Sequence, residues 1–203
     1  MRLKHRPEKP KGFTMIEVVI TLAVVAILAA VLVPLISNNI QSARFARAGS
    51  DVSTIGKAVV QFRQDTGQWP VYDGTTPRRL LYSDRNGLAG TAIIPAGPGA
   101  TTEWANIAGT SSLSLSYHLV SYNIGAKGVQ RGPSTNPVNW NGPYLSMVQL
   151  DPWGNSYLVN AEYLGGTNSV YVISAGAERP ALIEQTFNGN PPADSKNVFF
   201  RIQ

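Results

Sequence analysis

The stretch from Val18 to Ile36 is nineteen residues long and apolar apart from Thr21 and Pro34. At a rise of ~1.5 Å per residue it makes roughly 28 Å of helix, about one hydrocarbon thickness. A run of that length constrains the chain more than any other feature, because water-soluble surfaces do not tolerate it. Its flanks are asymmetric. Arg2, Lys4, Arg6, Lys9 and Lys11 precede it, and no base follows until Arg44. Positive charge is retained on the cytoplasmic side of a membrane, so residues 1–12 are expected inside and the C-terminal body outside.

The chain has 203 residues, enough for an anchor and one domain. Its net charge of +5 sits mostly in the leader. Residues 1–12 hold five of the 17 Lys and Arg and one of the 12 Asp and Glu, leaving 12 bases against 11 acids in the rest. A near-neutral body argues against a nucleic-acid surface, and the four tryptophans (Trp69, Trp104, Trp140, Trp153) are not interleaved with basic clusters. There is no cysteine, so neither a disulfide nor a thiolate metal site is available. No nucleophile–base constellation, zinc spacing, phosphate loop or dinucleotide fingerprint is present, so the chain does not read as an enzyme. His118 is the sole histidine beyond the leader, in an apolar segment where histidine is usually structural.

Simpler readings of the apolar run are a secretory signal peptide or a plain signal anchor. The first is disfavoured by its length and by Glu17, which interrupts its start. The second leaves the local pattern Lys11-Gly12-Phe13-Thr14-Met15-Ile16-Glu17 to chance. Gly12 offers an unobstructed backbone and Pro10 keeps the leader from helix, as a scissile site at a membrane face requires. Thr14 and Glu17 fit a capping box at the start of the helix, which accounts for the carboxylate by local structure alone.

The pattern G-F-T-x-x-E before an apolar tail resembles the N-terminus of type IV pilins and of the pseudopilins of type II secretion systems. The resemblance implies cleavage by a prepilin peptidase between Gly12 and Phe13, and N-methylation of Phe13. It also implies a role for Glu17 in assembly, pairing with the Phe13 amine of an adjacent subunit. A carboxylate in lipid costs ~2.5–3.5 kcal/mol at the helix centre and less near the interface, and a neighbour's ammonium would offset that cost. Pro34 is expected to break or weaken the helix near its outer end, since an interior proline costs ~3 kcal/mol.

Beyond Ser37-Asn38-Asn39 the pattern turns amphipathic. Ala48, Val52, Ile55, Val59 and Phe62 are spaced 4, 3, 4 and 3, an apolar stripe on one helical face. Gly67, after Asp65-Thr66, is the stop signal. The expected helix from Phe13 to Asp65 would be roughly 80 Å long. Phe62 to Pro70 is similar to the stretch that follows this helix in pseudopilins.

Residues 71–143 are rich in Gly, Pro, Ser, Thr and Asn, and read as loops with short elements. Around Ser114–Ile124 the spacing is compatible with either strand or helix. Ser156–Tyr163, Ser169–Ser174 and Asn197–Ile202 read as strands, the first two joined through Gly165-Gly166-Thr167-Asn168 as an antiparallel hairpin. Asp151-Pro152-Trp153-Gly154 has the composition of a type I turn. With the flanking Gly142-Pro143-Tyr144-Leu145, it also resembles a stretch of the major pseudopilin of type II secretion.

The whole is identified as an α+β, pilin-like chain. Residues 1–12 form a leader that is removed, 13–36 a transmembrane and filament-core helix, and 37–66 its amphipathic second half. That half packs on a small C-terminal antiparallel sheet within 67–203, with a loop-rich insertion near 74–140. The resemblance implies a structural subunit, not an enzyme, of an inner-membrane pseudopilus that drives protein export. Its implied partners are further copies of itself, minor pseudopilins, the prepilin peptidase and an inner-membrane assembly platform. The alternatives are a type IV pilin of a surface fibre for adhesion, motility or DNA uptake, and a membrane-anchored extracytoplasmic enzyme. Family members tie the loop after the second hairpin strand with calcium; here Glu178 and Asp194, with main-chain carbonyls, are the candidate ligands. The loop is poor in carboxylates for a cation that takes roughly six to eight oxygens.

Overall fold

A computed structural model describes residues 12–73, 76–84, 95, 104, 112–120, 140–177, 183–184 and 189–203. Its longest element is α1, Met15–Thr66. Gly67 closes it with a φ of 72°, and its N–H reaches the carbonyl of Arg63 at 2.9 Å. This is the left-handed C-cap that glycine adopts without a Cβ penalty. Pro34 lies inside α1 without ending it. By their contacts the residues fall into two units, Met1–Ser42 and Ala43–Gln203.

In the first unit the apolar side chains of α1 are unburied, from Met15 through Ile36 to Ile40. It is the single described helix long and apolar enough to cross a membrane. Thr21, the one hydroxyl in the apolar run, donates to the Val18 carbonyl at 2.9 Å. Its polarity is thus met within the helix, as an apolar surrounding demands.

The second unit buries the expected stripe. Ala48, Val52, Ile55, Val59 and Phe62 are all buried, along with Gly56 and Ala58. They pack on a five-stranded sheet of β3 (Leu80–Tyr82), β4 (Ser112–Ser114), β5 (Leu158–Val159), β6 (Tyr171–Ser174) and β7 (Val198–Arg201), in the order β4-β3-β5-β6-β7. A separate antiparallel pair joins β1 (Tyr72–Asp73) to β2 (Thr76–Pro77). The predicted hairpin is present, with Leu158 opposite Ile173 and Val159 opposite Val172. The register aligns Leu81, Val159, Val172 and Phe200 across four strands. That row joins the helix stripe in one core. The opposite row of Tyr82, Leu158 and Ile173 forms a second core with Leu80, Tyr171, Ala175, Trp104 and Ile183. Each fully buried aliphatic here contributes about 1.5–3 kcal/mol relative to exposure.

The structure refines three readings. The sheet is antiparallel through β3, β5, β6 and β7, but β4 pairs with β3 in parallel. The segment after Ser112 is both strand and helix: β4 gives way to α2, Ser116–Leu119. Two bonds span this change of direction, from Leu115 N–H to the Tyr82 carbonyl at 2.9 Å and from Ser116 N–H to Ser114 Oγ at 3.1 Å. The strand expected over Ser156–Tyr163 is shortened to β5, followed by a 3-10 turn at Ala161–Tyr163. Asn160 causes the departure. Its side-chain oxygen accepts from Tyr171 N–H at 2.8 Å and its amide donates to the Ser169 carbonyl at 3.1 Å. A side chain thereby continues the ladder while the backbone leaves it.

The loop-rich insertion falls largely outside the described residues. Within it Trp104 is fully buried on the sheet face away from the helix, a core role that composition did not reveal.

Candidate subunit-assembly site

Helix α1 begins as the capping pattern requires. Thr14 Oγ1 accepts from the Glu17 backbone N–H at 3.3 Å, and the Thr14 carbonyl accepts from Val18 N–H at 3.3 Å. The cap thus uses the main chain of Glu17. Among the described residues its carboxylate has no hydrogen-bond or ion-pair partner, and it stands exposed in the first turn. There it faces the positive end of the helix dipole. Phe13 is 82% exposed and Met15 88%. Gly12 is the first described residue, with open space where a Cβ would sit. Gly12, Phe13 and Glu17 are therefore accessible; the rest of the leader lies outside the described residues.

In the second unit, aromatic and polar ties hold α1 to the sheet. The Phe62 ring meets His118 edge-on at 5.4 Å and Tyr144 at 5.8 Å. His118 is buried there, in the structural role expected of it. Arg63 lies over the Trp69 ring at 5.6 Å. Tyr157, next to β5, donates its hydroxyl to Asp51 Oδ2 at 2.8 Å, and Arg47 stands 3.5 Å from the same oxygen. Burial, and then the neighbouring Asp51 carboxylate, push the Tyr157 hydroxyl above the ordinary tyrosine range. The sequence pattern did not single out Asp51, which lies just off the apolar stripe, at its edge.

The Asp151–Gly154 turn forms as read, with Gly154 N–H on the Asp151 carbonyl at 3.0 Å. The Asp151 carboxylate is buried. One oxygen accepts from the backbone N–H groups of Trp153 and Asn155 at 3.0 and 2.8 Å. The other accepts from Ser174 Oγ at 2.7 Å. The turn is thereby fastened to the end of β6, and the Trp153 ring packs against Phe45 with centroids 4.8 Å apart.

Of the calcium candidates, Glu178 lies outside the described residues and Asp194 is exposed. Among the described residues no three His, Asp or Glu side chains come together to hold a metal ion. Asn197, which was read only as the start of a strand, is buried, and its side chain bonds the Ala175 carbonyl and the Glu184 N–H. Its signal, a lone amide beside an apolar strand and next to a loop, is weak in sequence.

Comparison with known proteins matches the two ends of this layout. Residues 9–33 match the prokaryotic N-terminal methylation motif, a span that includes Gly12, Phe13 and Glu17. Residues 120–184 match type II secretion system protein G. The type II secretion system core protein G of Pseudomonas aeruginosa (strain PAO1) is 24% identical over 165 residues, covering 81% of this chain and 82% of that protein. No solved structure matches. With its methylation motif, its protein G segment and an amphipathic helical half packed on a small sheet, the chain is similar to the type II secretion pseudopilins.

Proposed function

We propose that the chain is a structural subunit of a pseudopilus that drives protein export by type II secretion. Prepilin peptidase cuts between Gly12 and Phe13, and Phe13 is then methylated. The mature subunit waits in the inner membrane with its N-terminus on the cytoplasmic side and its domain in the periplasm. An assembly platform then extracts it into a filament of its own copies, completed by minor pseudopilins. The work is mechanical: apolar helix surface leaves lipid for a bundle of identical helices, and the lengthening filament pushes folded cargo outward.

The observation that carries this reading is the uncovered first half of α1, with one carboxylate in its first turn. A lone acid is unfavourable in lipid, and the new α-amino group of Phe13, with a reference pKa of ~7.7–8.0, is the complementary charge. Pairing between neighbours neutralises both and sets their axial register.

Glu17→Ala tests the pairing cleanly, because the cap bond uses the backbone N–H of residue 17 and survives the substitution. The variant is expected to insert and be processed normally while filament yield falls about tenfold or more, equivalent to ~1.4 kcal/mol. Wild-type yield from Glu17→Ala, measured by shearing and immunoblot, would remove the register role.

A further inference from the structure

We propose that the loop following β6 is closed by the side chains of Glu184 and Asn197, which do the work that the family resemblance assigns to calcium. Asn197 is buried just before β7. Its Nδ2 donates to the Ala175 carbonyl at 2.9 Å, and its Oδ1 accepts from Glu184 N–H at 2.6 Å. Glu184 answers in kind, its Oε2 accepting from Lys196 N–H at 2.8 Å. Two segments are thus cross-linked reciprocally and tied to a third.

The third segment is itself shaped for the contact. Gly176 has a φ of 76°, and a Cβ there would stand 2.6 Å from the Lys196 carbonyl oxygen. Only glycine permits that approach. Ser174 Oγ accepts from Gly176 N–H at 3.2 Å while donating to the buried Asp151 carboxylate. A continuous chain of bonds therefore runs from the Asp151 turn through Ser174–Gly176 to Asn197 and Glu184. A cation stabilises such a loop by gathering several oxygens from different segments. Here amide and backbone N–H donors gather them instead, and one Glu184 oxygen is committed to a backbone donor. The subunit accordingly reaches its assembly-competent fold without a divalent ion.

The expectation of a cation rests on the pseudopilin reading, but the test is a stability measurement that stands whether or not filaments form. The full chain in detergent micelles is melted by tryptophan fluorescence in calcium chloride and in EGTA. The wild-type midpoint is expected to agree within ~1 °C between the two, and Asn197→Ala is expected to lower it by ~5–10 °C in both. Glu184→Gln separates the roles: an amide oxygen still accepts from Lys196 N–H, so stability is kept, whereas a metal ligand would lose its charge. Should calcium raise the wild-type midpoint by several degrees, or Glu184→Gln fall as far as Glu184→Ala, the clamp is wrong and a metal site is present. The wild-type arm decides even if Asn197→Ala does not fold.

Discussion

Gly56 stands in the middle of a helix, where alanine would ordinarily be better by ~1 kcal/mol. Replacing it with alanine is nevertheless expected to destabilise the domain. An ideal Cβ at Gly56 would lie 2.4 Å from Cδ1 and 2.6 Å from Cε1 of Phe200. Carbon atoms pack at ~3.5–4.0 Å, so the ring must retreat by more than about 1 Å. Phe200 is fixed on β7 opposite Val172, and its ring packs against the helix-side core. Overpacking of this kind costs ~1–3 kcal/mol. Set against the propensity gain, the net effect runs from break-even to ~2 kcal/mol of destabilisation.

The double-mutant cycle is sharper than the single value. In a Phe200→Ala background the clash is gone, and Gly56→Ala should stabilise by ~1 kcal/mol. The coupling between the two sites is then ~1–3 kcal/mol. Urea unfolding of the full chain in micelles, followed by tryptophan fluorescence, measures all four corners. If Gly56→Ala stabilises the otherwise native chain, and the two effects add to within ~0.5 kcal/mol, the close approach of helix and strand is refuted.

Two further outcomes follow from the same domain. Tyr157 is protonated over a wider range folded than unfolded, since its pKa is raised by burial and by Asp51. The folded state then holds the proton more tightly, so this stability is fully present below the ordinary tyrosine value of ~10 and is lost as pH rises above it. Urea midpoints between pH 8 and 11 should show wild type losing more stability than Tyr157→Phe; parallel curves would contradict the assignment. Asp151→Ala should cost about 3 kcal/mol or more, because three donors lose a buried acceptor. Asp151→Asn should cost less, since one acceptor oxygen remains, and equal losses in the two variants would mean that the bonds do not carry the effect.

Periodicity and turn chemistry are local properties, and they were legible. The apolar run, the Thr14 cap, the stripe from Ala48 to Phe62, the stop at Gly67, the Asp151–Gly154 turn and the hairpin of β5 with β6 each follow from residues within one or two turns of one another. The pairing of β4 with β3 in parallel was not legible, because it joins residues some thirty positions apart across a segment of weak pattern. Nor was the burial of Trp104, which composition assigns to a loop and packing assigns to a core. Nor was the reason for a glycine at position 56, which lies against the ring of Phe200.

The sequence alone determined that this chain carries a membrane-length helix with one acid at its head, a second helical half with a single apolar face, and strands to receive that face. Spacing along the chain suffices for those features, since a helix or a turn is decided by near neighbours. Only the tertiary structure decided which segments the Asn197 side chain joins and which glycine admits an aromatic ring. Those outcomes depend on hydrogen bonds and contacts between segments that spacing along the chain does not bring together.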